Sequence, residues 1–228
     1  MNPALRAAVA HLAVADVDAP ELASDDRHHL LRVLRARRGE LVTVTNGAGS
    51  WRPCRVAADG VEPDGDVCHE PAQTPRLTLA VVVPKADRPE WLVRKATEIG
   101  IDVILMLHSR RSVVRWQGAA KADAARRRLQ AVAVDASLQS RRVWFPEVEG
   151  PVDASTMLAG AAIAEPGGSA LGSADTTVAI GPEGGWEDAE LALGHTTVGL
   201  GDTILRVETA ALVAAAEMVR LRSLAGPA

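Results

Sequence analysis

Residues Ile180-Gly181-Pro182-Glu183-Gly184-Gly185-Trp186 follow an apolar run at Val178–Ile180 and precede a helical pattern from Glu187. Three glycines and a proline at the carboxyl end of a strand give a tight turn with bare main chain, which a ligand can approach closely. A plain strand-to-helix turn has the same composition. A second exit of this kind, Val198 to Ala210 (VGLGDTILRVETA), leads through a short irregular stretch into the last helix. Asp202 or Glu208 can serve there as capping residues and Arg206 as a surface charge. Two glycine loops at neighbouring strand ends, both opening helices, describe a crevice suited to a nucleoside-like ligand.

Other chemistries lack their signatures. No GxGxxG follows a strand, and no GxxxxGK[ST], HExxH, paired CxxC or GxSxG is present. His28-His29 reads as a surface helix pair rather than a metal site, so no metal is expected. The two cysteines, Cys54 and Cys68, are too far apart for a chelating pair and read as reduced thiols of a cytoplasmic protein. No apolar run approaches the length of a membrane span, and no secretory leader is recognisable at the N-terminus. Aromatics make up 3% of the chain, so stacking platforms for bases are few.

The net charge of −4 conceals two basic islands. Asp25–Arg55 holds seven Arg against three acids, and Arg110–Arg142 holds nine Lys or Arg against two Asp. The remainder of the chain therefore carries −15. Basic islands in an acidic background fit a polyanion footprint, although solvated Arg-rich helix faces have the same composition.

The elements that must position these groups fall into two regions. The first ~70 residues read as a small β-rich module with one helix. Ser24 is its expected N-cap, Asp25 and Asp26 lie in the first turn, Arg35, Arg37 and Arg38 at the negative end, and Gly39 at the stop. Leu41–Val44 and Trp51–Val56 are strands about the Asn46-Gly47 turn. Residues 57–76 are rich in Pro, Gly and Asp, and the boundary is expected near Gln73–Pro75. Beyond it, strands and helices alternate. Leu77–Val83 is a strand buried on both faces, followed by a helix capped by Asp87 and Glu90 and ended by Gly100. Val103–Leu107, Ala161–Ala164, Val178–Ile180 and Thr197–Leu200 are further strands. Lys121–Leu138 and Glu208–Leu224 are helices. This alternation predicts an α/β domain with a mainly parallel sheet.

With these residues in place, GPEGGW (181–186) followed by LGDTILRVETA (200–210) resembles the signature of the SPOUT methyltransferase superfamily, specifically the ribosomal RNA uracil-N3 methyltransferase (RsmE-like) family. The similarity extends in order through His29-Leu30, Val33-Leu34-Arg35, Gly39, KATEIG (95–100), Arg111-Ser112-Val113 and ASLQSR (136–141). Ile99 stands where Leu is usual and Asp135 where Glu is usual, and 143–175 matches poorly.

The resemblance implies a PUA-like RNA-binding domain over residues 1–73 and a SPOUT trefoil-knot methyltransferase domain over 74–228. It implies a homodimer through the C-terminal domain, S-adenosylmethionine as cofactor, and as substrate a uridine of the small-subunit 16S ribosomal RNA, methylated at N3. Carried over residue by residue, Gly181, Glu183, Gly184, Leu200, Gly201, Ile204, Leu205 and Arg206 are expected around the cofactor. Glu183 and Glu208 are the candidate bases, and Arg206 the candidate stabiliser of a developing oxyanion. Arg32, Arg35, Arg37, Arg38, Arg110, Arg111, Gln139, Arg141 and Arg142 are expected to face RNA. The alternatives are a SPOUT enzyme acting on a ribose 2′-hydroxyl or a tRNA base, a non-catalytic RNA-binding or assembly factor, and an unrelated nucleotide-binding enzyme.

Overall fold

The structure, a computed structural model, describes residues 2–226. The chain forms two compact units, one of residues 1–72 with 137–145, the other of residues 73–136 with 146–228. Among the described residues no helix is long and apolar enough to cross a membrane.

The first unit begins with a short helix α1 (Pro3–Ala7) and a strand β1 (Ala10–Ala13), then a helix α2 (Ser24–His28). Four more strands follow, β2 (Leu41–Thr45), β3 (Ser50–Ala57), β4 (Gly60–Pro63) and β5 (Cys68–His69). β1 runs parallel to β2, while β3 pairs antiparallel with β2, β4 and β5. Leu12, Val14, Leu30, Val42, Val44, Cys54 and Val56 form its core, the inward set of half-buried strands.

The helix of this unit differs from the expectation. Its N-cap is Ala23 rather than Ser24, and no side chain caps it. A π-helical stretch, His29–Val33, continues it, and Arg35 then takes a left-handed φ of 52°. The helix therefore ends before Arg37 and Arg38, which lie in the following turn, not at Gly39.

Residues 137–145 complete the first unit. Trp144 bridges to Ala48, its Nε1 donates to the Glu70 carbonyl at 2.8 Å, and Phe145 N donates to the Gly47 carbonyl at 2.9 Å. A Cβ on Gly49 would stand 2.6 Å from the Trp144 ring, so this close approach requires glycine.

The second unit is built on a six-stranded sheet: β6 (Thr78–Val82), β7 (Val103–His108), β8 (Glu147–Asp153), β9 (Ala162–Ser169), β10 (Thr177–Ile180) and β11 (Thr196–Val198). The order is β11-β9-β10-β6-β7-β8, and every neighbouring pair is parallel. Helices α3 (Arg88–Ile99), α4 (Ala119–Gln139), α5 (Asp188–Leu191) and α6 (Val207–Ala225) connect or follow the strands. The α/β architecture with a parallel sheet, beside a β-rich module, is the one expected.

Local capping differs here too. Asp87 occupies the N-cap of α3 but makes no side-chain capping bond, and Glu90 pairs with Arg128 instead. Asp87 itself has helical dihedrals, φ −86° and ψ −1°, whereas a capping side chain needs the extended conformation. β8 carries Gly150-Pro151 and no apolar run, so periodicity does not reveal it.

Candidate active site

The centre of the site is set by β10, whose Val178, Ala179 and Ile180 are buried. The chain leaves it through Gly181–Trp186, where Gly185 N donates to the Pro182 carbonyl at 2.9 Å and Gly185 has φ 71°. That left-handed conformation strains any residue with a Cβ. Trp186 then turns inward. It is 4% exposed and packs among Ala80, Val82, Leu107, Ile163 and Ala179. A Cβ on Gly181 would meet the indole at 2.8–3.1 Å. The glycine is thus required by packing against Trp186.

The second loop leaves β11 at the sheet edge. A Cβ on Gly168 would lie 2.5 Å from the Val198 carbonyl carbon, and one on Gly199 would lie 2.7 Å from the Gly168 carbonyl oxygen. The two main chains therefore touch, and Gly199 N donates to the Ser169 carbonyl at 2.8 Å. Gly201 has φ 136° with open space around it, so conformation rather than crowding requires glycine there. Arg206 ends the loop as the N-cap of α6, its carbonyl accepting from Ala210 N at 2.8 Å.

Both loops open onto one cavity of about 520 Å³ at the carboxyl ends of β10 and β11, against the middle of β9. Small-molecule sites span roughly 300–1,000 Å³ and favour such strand ends. Gly181, Glu183 and Gly184 line it from the first loop; Leu200, Gly201, Ile204, Leu205 and Arg206 line it from the second. All eight expected cofactor positions are thus brought together. Ile204 is 83% exposed, an apolar surface available to a ligand at the wall. Trp186 Nε1 is buried with no hydrogen-bond partner, leaving a donor that a ligand acceptor can use.

A third wall, Ala164-Glu165-Pro166 in the middle of β9, is not among the expected positions. Its signal is present in the Pro-Gly-Gly that follows the apolar run at 161–164.

The charged residues divide into distinct roles. Glu183 lines the cavity, whereas Glu208 does not, lying in the first turn of α6. Arg88, which no motif singles out, sits 3.5 Å from Glu208 and 3.9 Å from Glu183. Arg111 Nη1 donates to the Gly184 carbonyl at 2.9 Å, and Arg110 N donates to the buried Glu190 carboxylate at 2.9 Å. Glu190 also accepts from Glu187 N at 3.0 Å. The residues after β7 therefore brace the glycine loop.

Arg32, Arg35, Arg37, Arg38 and Gln139 are exposed on the first unit. Among the described residues none of those four arginines forms an ion pair. Arg141 and Arg142 are half-buried and engaged with main chain: Arg141 Nη2 donates to the Ala8 carbonyl at 2.9 Å and Arg142 Nε to the Trp144 carbonyl at 3.2 Å. Burial lowers the Arg141 pKa.

Residues 71–219 match the RNA methyltransferase domain family and residues 22–60 the RNA methyltransferase PUA domain family. The ribosomal RNA small subunit methyltransferase E of Mycobacterium bovis is 33% identical over 232 residues, covering 89% of this chain and 84% of its own. A probable rRNA-methyltransferase from Porphyromonas gingivalis superposes with a TM-score of 0.73 at 28% identity, covering 95% of this chain and 99% of its own. The Neisseria gonorrhoeae ribosomal RNA small subunit methyltransferase E, solved bound to S-adenosyl methionine, superposes with a TM-score of 0.73 at 25% identity, covering 93% of this chain and 97% of its own.

Proposed function

Since the chain belongs to the RNA methyltransferase family that includes the ribosomal RNA small subunit methyltransferase E proteins, we propose that it methylates N3 of a uridine in 16S ribosomal RNA, using S-adenosylmethionine. The observation that carries this reading is the convergence of both glycine loops on one cavity. The residues fit the cofactor. Leu200, Ile204 and Leu205 supply apolar walls, the glycine loops supply bare main-chain groups, and the buried Trp186 indole keeps a free N–H. When bound, S-adenosylmethionine supplies an electrophilic methyl group on a sulfonium.

Uracil N3 is protonated and weakly nucleophilic near neutral pH, so this chain's own task is to align the base and accept its proton. Glu183 or Glu208 is the acceptor, and Arg206, lining the cavity, balances negative charge developing on the uracil oxygens. Residues 1–73, with 137–145 packed into the same unit, act as the RNA-binding domain, and the rest of 74–228 acts as the knotted methyltransferase domain. The enzyme works in the cytoplasm as a homodimer through the C-terminal domain.

The deciding experiment is methyl transfer from labelled S-adenosylmethionine to unmodified small ribosomal subunits, followed by nucleoside mass spectrometry. 3-Methyluridine is the expected product. A different methylated nucleoside would move the substrate, and cofactor binding without methylation would favour a binding factor.

Two further outcomes follow from the geometry. Gly181→Ala forces the Trp186 indole to shift, and overpacking of about 1–3 kcal/mol predicts a cofactor affinity lower by roughly 5- to 150-fold. Calorimetry measures it, and Gly181→Ala with Trp186→Leu should recover part of the loss. Unchanged affinity in Gly181→Ala would remove Trp186 as the cavity floor. Separately, Arg37→Glu with Arg38→Glu should weaken RNA binding across sequences. It should also reduce the salt slope by roughly 0.7–0.9 for each phosphate that is no longer neutralised. Filter binding at two salt concentrations tests it, and an unaltered slope would move the footprint elsewhere.

A further inference from the structure

The peptide between Gly184 and Gly185 is the one in the first glycine loop most free to turn, because neither flanking residue has a Cβ to restrict it. In the fold it is held at both ends. Gly185 N donates to the Pro182 carbonyl at 2.9 Å, and the Gly184 carbonyl accepts from Arg111 Nη1 at 2.9 Å. A peptide group is planar, so these two bonds together select one orientation of it. The Arg111 stem runs beside the same glycine: a Cβ on Gly184 would stand 3.7 Å from Arg111 Cδ.

Arg111 reaches the loop from a turn that is itself anchored. Ser109 N donates to Ser112 Oγ at 2.7 Å, and Ser112 N donates to the Ser109 carbonyl at 3.2 Å. Between them Arg110 N donates to Glu190 Oε1 at 2.9 Å, while Glu190 Oε2 accepts from Glu187 N at 3.0 Å. Glu190 is buried, so one carboxylate ties the turn after β7 to the residue that follows Trp186. The two neighbouring arginines are therefore used differently. The Arg110 side chain is 68% exposed and stands 3.7 Å from Glu187, whereas Arg111 commits a donor to the glycine loop.

Gly184 lines the cavity. We propose that Arg111 is a positioning residue for the cofactor site rather than an RNA contact, holding the Gly184–Gly185 peptide in the orientation that S-adenosylmethionine meets. Arg110 is left to face RNA. The inference rests on the cavity being the cofactor site, and it reassigns a residue that the family resemblance places against RNA. Without the Arg111 bond the two-glycine peptide turns among more orientations. Cofactor affinity then falls with the fraction of loops that remain competent.

The test is calorimetric titration of the full chain with S-adenosylhomocysteine, beside binding of unmodified small ribosomal subunits. Arg111→Met keeps most of the stem and removes the donors. It should bind S-adenosylhomocysteine about tenfold more weakly, with subunit affinity within about threefold of wild type. Arg111→Lys restores a single donor on a flexible stem and should recover part of the loss. Arg110→Ala should show the opposite pattern, with weaker subunit binding and unchanged S-adenosylhomocysteine affinity. Wild-type S-adenosylhomocysteine affinity in Arg111→Met would overturn the proposal, as would a loss confined to subunit binding.

Hydrogen exchange at the Gly185 amide gives a readout that needs no ligand. The exchange should quicken by about tenfold in Arg111→Met as the loop opens locally, and an unchanged rate refutes the positioning role. If the wild-type protein does not bind S-adenosylhomocysteine, the cofactor reading fails by itself, while the exchange rate still decides what Arg111 does to the loop.

Discussion

Replacing Arg222 by Ala should destabilise the second unit by about 3–5 kcal/mol, the usual cost of removing one partner of a buried ion pair. Arg222 lies in the last turn of α6 and is 7% exposed. Its guanidinium pairs with Asp102 and donates to the carbonyls of Pro75 at 3.2 Å and Gly100 at 3.0 Å. Asp102 also accepts from Leu77 N at 3.0 Å. One cation thus joins the end of α6, the turn after α3 and the entry to β6. Its loss takes the guanidinium away from the Asp102 carboxylate, whose side chain is 18% exposed.

For a chain of this size the loss corresponds to a melting temperature lower by roughly 6–20 °C. Arg222→Met with Asp102→Leu should recover much of the stability, because apolar residues of similar volume replace such pairs well. Thermal denaturation measures both. A shift below about 2 °C for Arg222→Ala would mean the pair contributes no more than an exposed one.

Acid should destabilise the first unit through His11. This residue is 3% exposed, with Nδ1 2.8 Å from Thr43 Oγ1 and Nε2 3.1 Å from the Arg142 carbonyl. A carbonyl only accepts, so Nε2 carries the proton and Nδ1 accepts from the Thr43 hydroxyl. Burial first, with the nearby Arg141 charge adding to it, pushes the pKa from 6.5 down to about 4. The folded state therefore holds the ring neutral while the unfolded chain protonates it near 6.5. Stability from this source is complete above that pH and is lost as pH falls through about 4. At 1.36 kcal/mol per pH unit the difference is about 3 kcal/mol.

Urea denaturation between pH 7 and 4 should show the loss in the wild type and a shallower decline in His11→Gln. Parallel declines in the two proteins would assign the acid sensitivity to other groups. Because Arg142 belongs to residues 137–145, the same protonation should loosen that segment from the first unit.

Most of the second unit was legible because its signals are local. Buried parallel strands read as unbroken apolar runs, and Gly100 and Gly185 stop or turn the chain through left-handed dihedrals that glycine adopts readily. The cavity residues were legible for the same reason, since both loops lie at strand exits marked by glycine. β8 was not legible: its half-exposed Glu147–Asp153 run has no apolar period, and parallel pairing with β7 alone makes it a strand. The end of α2 was misplaced because Arg35 adopts a positive φ without the usual glycine.

What the chain determined by itself is the set of local conformations: strands, helices, two bare glycine turns and a charge pattern. What only the tertiary structure decided is which distant groups meet. Arg111 reaches the Gly184 carbonyl across 73 residues, Trp186 folds under Gly181, and Arg88 gathers Glu183 and Glu208. Residues 137–145 join the first unit although they lie far along the chain. Local conformation follows from sterics and hydrogen bonding within a few residues. Such meetings depend on strand order and packing, which residue types and spacing along the chain do not encode.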